Sequence, residues 1–277
     1  MSSRKPSFRA RQLGRALRAL REGARLTQTQ AGELLRYDDQ KISRIEKGQI
    51  PDVHALEAML DRYGLTVSEW EPYLAMWDRA NERGWWRAFG LDDMGYVSVE
   101  HDASMVRSFE DHFVPGLLQT EAYIRAVFAM SHVRRSKSWI DKQIAIRLRR
   151  RHRLVGEVPL RFRVVIDEGV LHRRFHPAVM REQLNYLCEY AAMDTVALQV
   201  VPNSVGPHPG MRGAFVVLSF PDKEERDIGY IEHVQGSAYL EKAEQVRECR
   251  LVFDHLSKLA LSPEDSVALI ERKAAEL

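Results

Sequence analysis

Between Thr27 and Gly48 the chain has room for two helices of about two turns each, with only a tight turn between them. Thr27-Gln28-Thr29-Gln30 is a capping box: Thr27 at the N-cap and Gln30 three residues on can satisfy each other's orphan backbone amides. A short helix follows, with Ala31, Leu34 and Leu35 as its apolar positions and Gly32 small enough for close helix–helix approach. Asp38 suits the next N-cap, where the helix dipole favours a carboxylate. Ile42 and Ile45 then face inward, Lys41 and Arg44 share a different face, and Gly48 ends the run. Ahead of this pair, Phe8, Leu13, Leu17 and Leu20 follow a helical period that Gly23 stops. Behind it, Pro51-Asp52 opens a fourth helix with Val53, Leu56, Leu60 and Tyr63, closed by Gly64. A fifth, over about residues 66–79, carries Trp70, Leu74 and Trp77. The spacing predicts an all-α helix-turn-helix domain over residues 1–80.

At 277 residues the chain can hold a second domain with its own core. No run approaches the roughly 18–20 apolar residues of a membrane span. Arg11, Arg15, Arg18 and Arg21 interrupt every apolar run near the N-terminus, which excludes a signal peptide from the expectation. Cys188 and Cys249, far apart, make neither a disulfide framework nor a zinc site, and the expected location is the cytoplasm, with thiols reduced. Charge is unevenly spread. Residues 1–50 hold 12 Lys/Arg against 5 Asp/Glu, leaving 29 against 34 of the chain's 41 and 39 for the rest. A basic head on a mildly acidic body is the footprint of a nucleic-acid module joined to something else.

Residues 81–99 read as a connector, with Trp85-Trp86 as packing anchors between domains. From residue 100 to 277 the pattern is α+β, with a small, mainly antiparallel sheet. Residues 101–113 read as a helix, with Met105, Phe109 and Phe113 four apart. Pro115-Gly116 make a turn and Thr120-Glu121 begin another helix. A long basic helix over about 136–155 carries Ile140, Ile144 and Leu148. It ends in RLRRRHR, either a second nucleic-acid patch or a face paired with acids of the body or with a second copy. Leu160, Phe162, Val164 and Ile166 mark a strand, Asp167-Glu168 a short helix, and Pro177 a longer one. Strands follow at 195–201, 213–220 and 228–234, the last two joined by the polar PDKEERD turn. Val246, Cys249, Phe253, Leu256 and Ala260 recur at a spacing that suits a core face or a dimer seam, and Ser262-Pro263 opens a final helix.

The run LTQTQAGELL…DDQKISRIEKG resembles the phage-repressor-like (XRE-type) helix-turn-helix, above all in Thr27-Gln28, in Ile42-Ser43-Arg44-Ile45-Glu46 and in Gly48. One departure is Arg36, where that family usually has Gly; a left-handed residue there costs roughly 1 kcal/mol. The resemblance implies that Asp39, Gln40, Lys41 and Arg44 enter the major groove of double-stranded DNA and that Gln28 binds a phosphate. Arg44 suits guanine, Gln40 adenine, and Asp39 either reads cytosine or filters against wrong sequences. Lys47 and the arginines of the first helix supply sequence-independent attraction. Farther on, VPGLLQTEAYIRAV, FRVVIDEGVLHR, MREQL, VPNSVGPHPGMRGAFVVLSFP and YIEH are similar to the C-terminal domain of actinobacterial Scr-type antitoxin-like transcriptional regulators, departing at Arg173-Arg174-Phe175-His176. That resemblance implies a regulator that acts with a small protein encoded by a neighbouring gene.

Catalytic patterns are weak. His172 and His176 are spaced like metal ligands but lack a glutamate between them, and Arg173 and Arg174 would repel a cation. Asp167-Glu168 suits helix capping better than acid–base work, and His101-Asp102 has no nucleophile at a recognisable spacing. The most unusual loop, VGPHPGMRG with His208, Gly210 and Arg212, could rim a ligand or partner site or simply connect two strands. The expectation is therefore no enzyme, no metal and no cofactor, but a homodimeric, sequence-specific DNA-binding regulator whose second domain senses a ligand or partner. The alternative is an antitoxin-like protein that neutralises a small partner and binds DNA for autoregulation.

Overall fold

The computed structural model describes residues 6–91, 95–131, 134–221 and 225–277. It divides into two compact units, Met1–Val99 and Glu100–Leu277.

The first unit is helical: α1 (Phe8–Gly23), α2 (Gln28–Leu35), α3 (Asp39–Glu46), α4 (Val53–Arg62) and α5 (Glu71–Asn81). A single turn of 3-10 helix, Val67–Glu69, precedes α5, so the fifth helical stretch is broken near Trp70. Local chemistry sets the starts. Ser7, Thr27, Asp38 and Asp52 each accept a backbone N–H of the first turn that follows. Leu13, Leu17, Ala31, Ile42, Ile45, Leu56, Met59, Leu60 and Tyr63 close one core, with Trp70, Leu74 and Trp77 packed against it. Gly23 is the last residue of α1, but the left-handed residue beyond it is Arg25, at φ 58°. Trp86 is buried, and the Arg9 guanidinium lies 5.9 Å from its ring. The connector reading over 81–99 includes residues 92–94, which lie outside the described residues.

A helix α6 (Tyr96–Asp102) leads into the second unit, built on a six-stranded mixed sheet. Its strands are β1 (Met105–Glu110), β2 (Arg161–Asp167), β3 (Val196–Val201), β4 (Phe215–Ser219), β5 (Ile228–His233) and β6 (Gly236–Leu240), in the order β3-β2-β1-β4-β5-β6. β1 and β2, and β2 and β3, run parallel; the other pairs are antiparallel. Parallel neighbours need long crossovers. These are supplied by α7 (Glu121–Ala129) with α8 (Lys137–Arg151), and by α9 (Pro177–Ala191). The mixed α+β class is the expected one, but two strands were not. Within the stretch expected as a helix over 101–113, residues 105–110 form β1, where Val106, Ser108 and Phe109 are buried between two neighbouring strands, so the four-residue interval of Met105, Phe109 and Phe113 was not a helical period. β6 was missed because Gly236-Ser237-Ala238 lacks the branched residues that mark strands. The PDKEERD turn between β4 and β5 includes residues 222–224, outside the described residues.

The helix α10 (Ala243–Leu259) lays Val246, Phe253 and Leu256 on Phe109, Val165, Phe215 and Val217 of the sheet. Its heptad-like face is thus a core face of its own unit. The last helix, α11 (Pro263–Ala275), seals the β3 edge: the Val200 N–H donates to Ser266 Oγ at 3.0 Å. On α8 the buried residues are Ile144 and Ile146, not the row through Leu148. The chain from β3 to β4 must cross the carboxyl ends of β2 and β1, because those strands lie between them.

Candidate nucleic-acid interface

The turn between α2 and α3 is closed by backbone bonds, Tyr37 N–H to Gly32 O at 2.8 Å and Arg36 N–H to Glu33 O at 3.3 Å. Arg36 takes the left-handed conformation, φ 57° and ψ 40°. Gly32 is small for the sake of this turn and not for a helix contact: a Cβ there would meet Tyr37 O at 2.6 Å. The close helix approach is instead at Gly14 of α1, where a Cβ would meet Ile45 O at 2.6 Å and Glu46 O at 2.7 Å.

Beneath the pair lies a buried polar network. Glu46 accepts from Arg21 Nε at 2.5 Å and Nη2 at 3.1 Å, and from Gln28 Nε2 at 2.7 Å. Arg21 Nη1 also donates to Leu26 O at 2.6 Å. The hydrogen bond to Glu46 pushes the Arg21 guanidinium further up. Burial first, and then the Glu46 charge, push the Tyr63 hydroxyl up to about 12. This network fixes α1, α2 and the end of α3 as one piece. It was not foreseen, although Glu46 stands four residues after Ile42, on the face that had to be buried.

The opposite face of α3 is open. Asp39, Gln40, Arg44 and Lys47 are exposed, and Gln40 and Arg44 lie one turn apart on the same side. Lys41 is half-buried, with its Nζ 3.3 Å from the centroid of the Tyr37 ring. The helix therefore presents a carboxamide that both donates and accepts and a guanidinium that only donates, flanked by an acid at its start and a cation at its C-cap, on a rigid base.

Residues 12–72 match a helix-turn-helix domain family, and residues 94–272 match a domain of unknown function, DUF5753. The second match spans more than half of the chain. The chain belongs to the DUF5753 family. No curated protein and no solved structure matches it. The first unit is thus a helix-turn-helix domain, the module of DNA-binding regulators, placed ahead of a DUF5753 domain. No helix among the described residues is long and apolar enough to cross a membrane.

The caps Thr27 and Asp38 stand where expected: Thr27 Oγ1 and Gln30 Oε1 form the reciprocal box, and Asp38 Oδ1 accepts from Lys41 N–H. Gln28 is brought to the start of α2, where its Nε2 donates one N–H to Glu46 and keeps the second for a phosphate. In the DUF5753 domain, the loop of His208, Gly210 and Arg212 is only partly open. The His208 side chain is 4% exposed, with Nε2 3.1 Å from Asp167 Oδ2, and Gly210 is buried under the Phe109 ring. Arg212 is exposed. His172 and His176 do not share a helix: His172 ends a 3-10 turn and pairs with Glu168 at 3.0 Å, while His176 caps α9. Asp167 Oδ1 caps that turn through Gly169 N–H at 2.7 Å. The basic run ending α8 is largely spent inside the DUF5753 domain. Arg150 holds the buried Glu100 in a two-pronged pair at 2.7 and 2.8 Å, Arg151 donates to Gln119 O, and Arg153 donates to Ala103 O at 2.7 Å.

Proposed function

We propose that this chain is a sequence-specific, XRE-type transcription regulator working in the cytoplasm, a binding protein and not a catalyst. The observation that carries the reading is the open Gln40–Arg44 row on a helix whose other face is locked by Glu46. A rigid helix lets a guanidinium and a carboxamide reach base edges in fixed register. Asp39 at the front admits cytosine or repels, and Lys47 with the exposed Arg15 and Arg18 of α1 attracts the backbone. The DNA-binding form is a homodimer on two half-sites, a reading that rests on the two-fold symmetry of operators for such heads. The DUF5753 domain receives a ligand or a small partner protein, in keeping with its resemblance to Scr-type antitoxin-like regulators. The test is binding of the purified chain to DNA upstream of its own gene and to scrambled DNA across a salt series. A preference of about a thousandfold is expected. Equal, weak binding to both would refute the reading.

A further inference from the structure

On the sheet face that α10 covers, the strands change character along their length. Phe109 and Val165 enter the apolar core under α10. Two residues earlier on each strand, on the same face, stand Arg107 and Arg163. These two are direct cross-strand partners in the β1–β2 register. Like charges placed opposite one another destabilise a sheet. Burial, the largest effect, then Arg250 of α10 and Arg163 push the Arg107 guanidinium down, while Asp227 and Asp254 act less strongly in the other direction.

The acceptors here do not match the donors. Arg107 Nη1 donates to Ser219 Oγ at 3.0 Å. Ser219 Oγ donates onward to Asp227 Oδ2 at 2.8 Å, and that same oxygen lies 3.3 Å from Arg250 Nη1. The Arg163 guanidinium lies over the Phe253 ring, with its carbon 5.5 Å from the centroid, and the side chain makes no hydrogen bond or ion pair among the described residues. Each guanidinium carries five N–H donors. Three guanidiniums approach this face, and among the described residues the carboxylate in direct reach of them is Asp227, already paired with Arg250. A cation over an aromatic ring is a weaker partner than a carboxylate, and a carboxylate at either strand position would remove the repulsion.

We propose that Arg107, Arg163 and Arg250 form a binding site for a small oxyanion with more than one negative charge, of the phosphate or pyrophosphate kind. Arg163 offers its unused fork, and Arg107 and Arg250 close on the remaining oxygens from the neighbouring strand and from α10. A planar fork suits such oxygens two at a time. A monocarboxylate has too few oxygens and too little charge to satisfy all three. All three arginines belong to the second unit, and none of them is among the residues assigned to the DNA-reading helix.

The test is calorimetric titration of the full-length chain with sodium pyrophosphate, inorganic phosphate and acetate at constant ionic strength. Pyrophosphate is expected to saturate one site per chain, phosphate to bind more weakly, and acetate to give no saturable heat. Arg163→Met should weaken pyrophosphate at least about tenfold, and Arg163→Lys, which keeps the charge but not the fork, should fall between. Arg44→Ala should bind pyrophosphate like the parent. Thermal unfolding without anion should show Arg163→Met no less stable than the parent, since a repulsion is gone, and added pyrophosphate should raise the parent's Tm but not the variant's. Absence of saturable binding by either phosphate probe, full affinity in Arg163→Met, or loss of binding in Arg44→Ala would each overturn the site. If Arg163→Met fails to fold, the repulsion assigned to it is wrong, and Arg163→Lys with parental affinity would remove the site as well.

Discussion

Arg44→Ala takes away one exposed side chain and no internal contact. The expected loss of DNA affinity is about 1–3 kcal/mol, with relaxed preference at one base pair. A selection over randomised sites reads this directly; uniform weakening on all sequences would make Arg44 a phosphate contact instead. Arg36→Gly addresses the turn. A non-glycine residue at φ 57° is strained, so the glycine variant should be more stable by up to about 1 kcal/mol in urea unfolding. No gain would mean that the left-handed cost is offset at Arg36. Glu110 gives a third residue-scale expectation. Burial, the largest effect, with the nearby Asp111 and Glu232 charges pushes its carboxyl up from 4.5 to about 7. The folded state then binds this proton more tightly than the unfolded one. Stability from this group is full below about 4.5 and falls as pH rises towards about 7. Glu110→Gln should flatten that part of the stability–pH curve, and an unchanged curve would count against the shift.

At the scale of elements, α3 depends on one carboxylate. Glu46→Ala takes from the buried Arg21 its buried, hydrogen-bonded partner and leaves only the exposed Glu22 at 3.7 Å, a loss expected to cost about 3–5 kcal/mol. It also releases the Gln28 amide. Denaturation of the variant checks the first effect, and the amide's exchange rate by NMR checks the second. Helix starts were readable in advance because capping is local chemistry: Thr27, Asp38 and Ser262 act on the next three residues. The exposed face of α3 followed from the period of Ile42 and Ile45. What was not legible depends on distant partners. Arg21 and Glu46 meet across 25 positions. Met105, Phe109 and Phe113 kept a helical interval although the backbone is extended through β1. Arg107 and Arg163 face each other only because β1 and β2 pair in one particular register. Likewise the 3–4 spacing on α10 showed an apolar face but not what covers it, and the cover is its own sheet.

For the whole molecule, a formal net charge of +2 hides a strongly basic beginning. DNA binding should therefore fall steeply with salt, as counterions return to the phosphates. A plot of log affinity against log salt with a slope near zero would show that this basic head does not meet the backbone. The sheet order has a further consequence for how the chain is made. Its central strand, β1, lies at residues 105–110, but one of its two neighbours, β4, comes only at 215–219. At roughly 5–20 residues per second, synthesis leaves β1 without that neighbour for some 5–20 seconds. The helical unit ahead of it has its whole core encoded by then. A ribosome paused between those strands would hold out a finished reading head tied to an unfinished sheet.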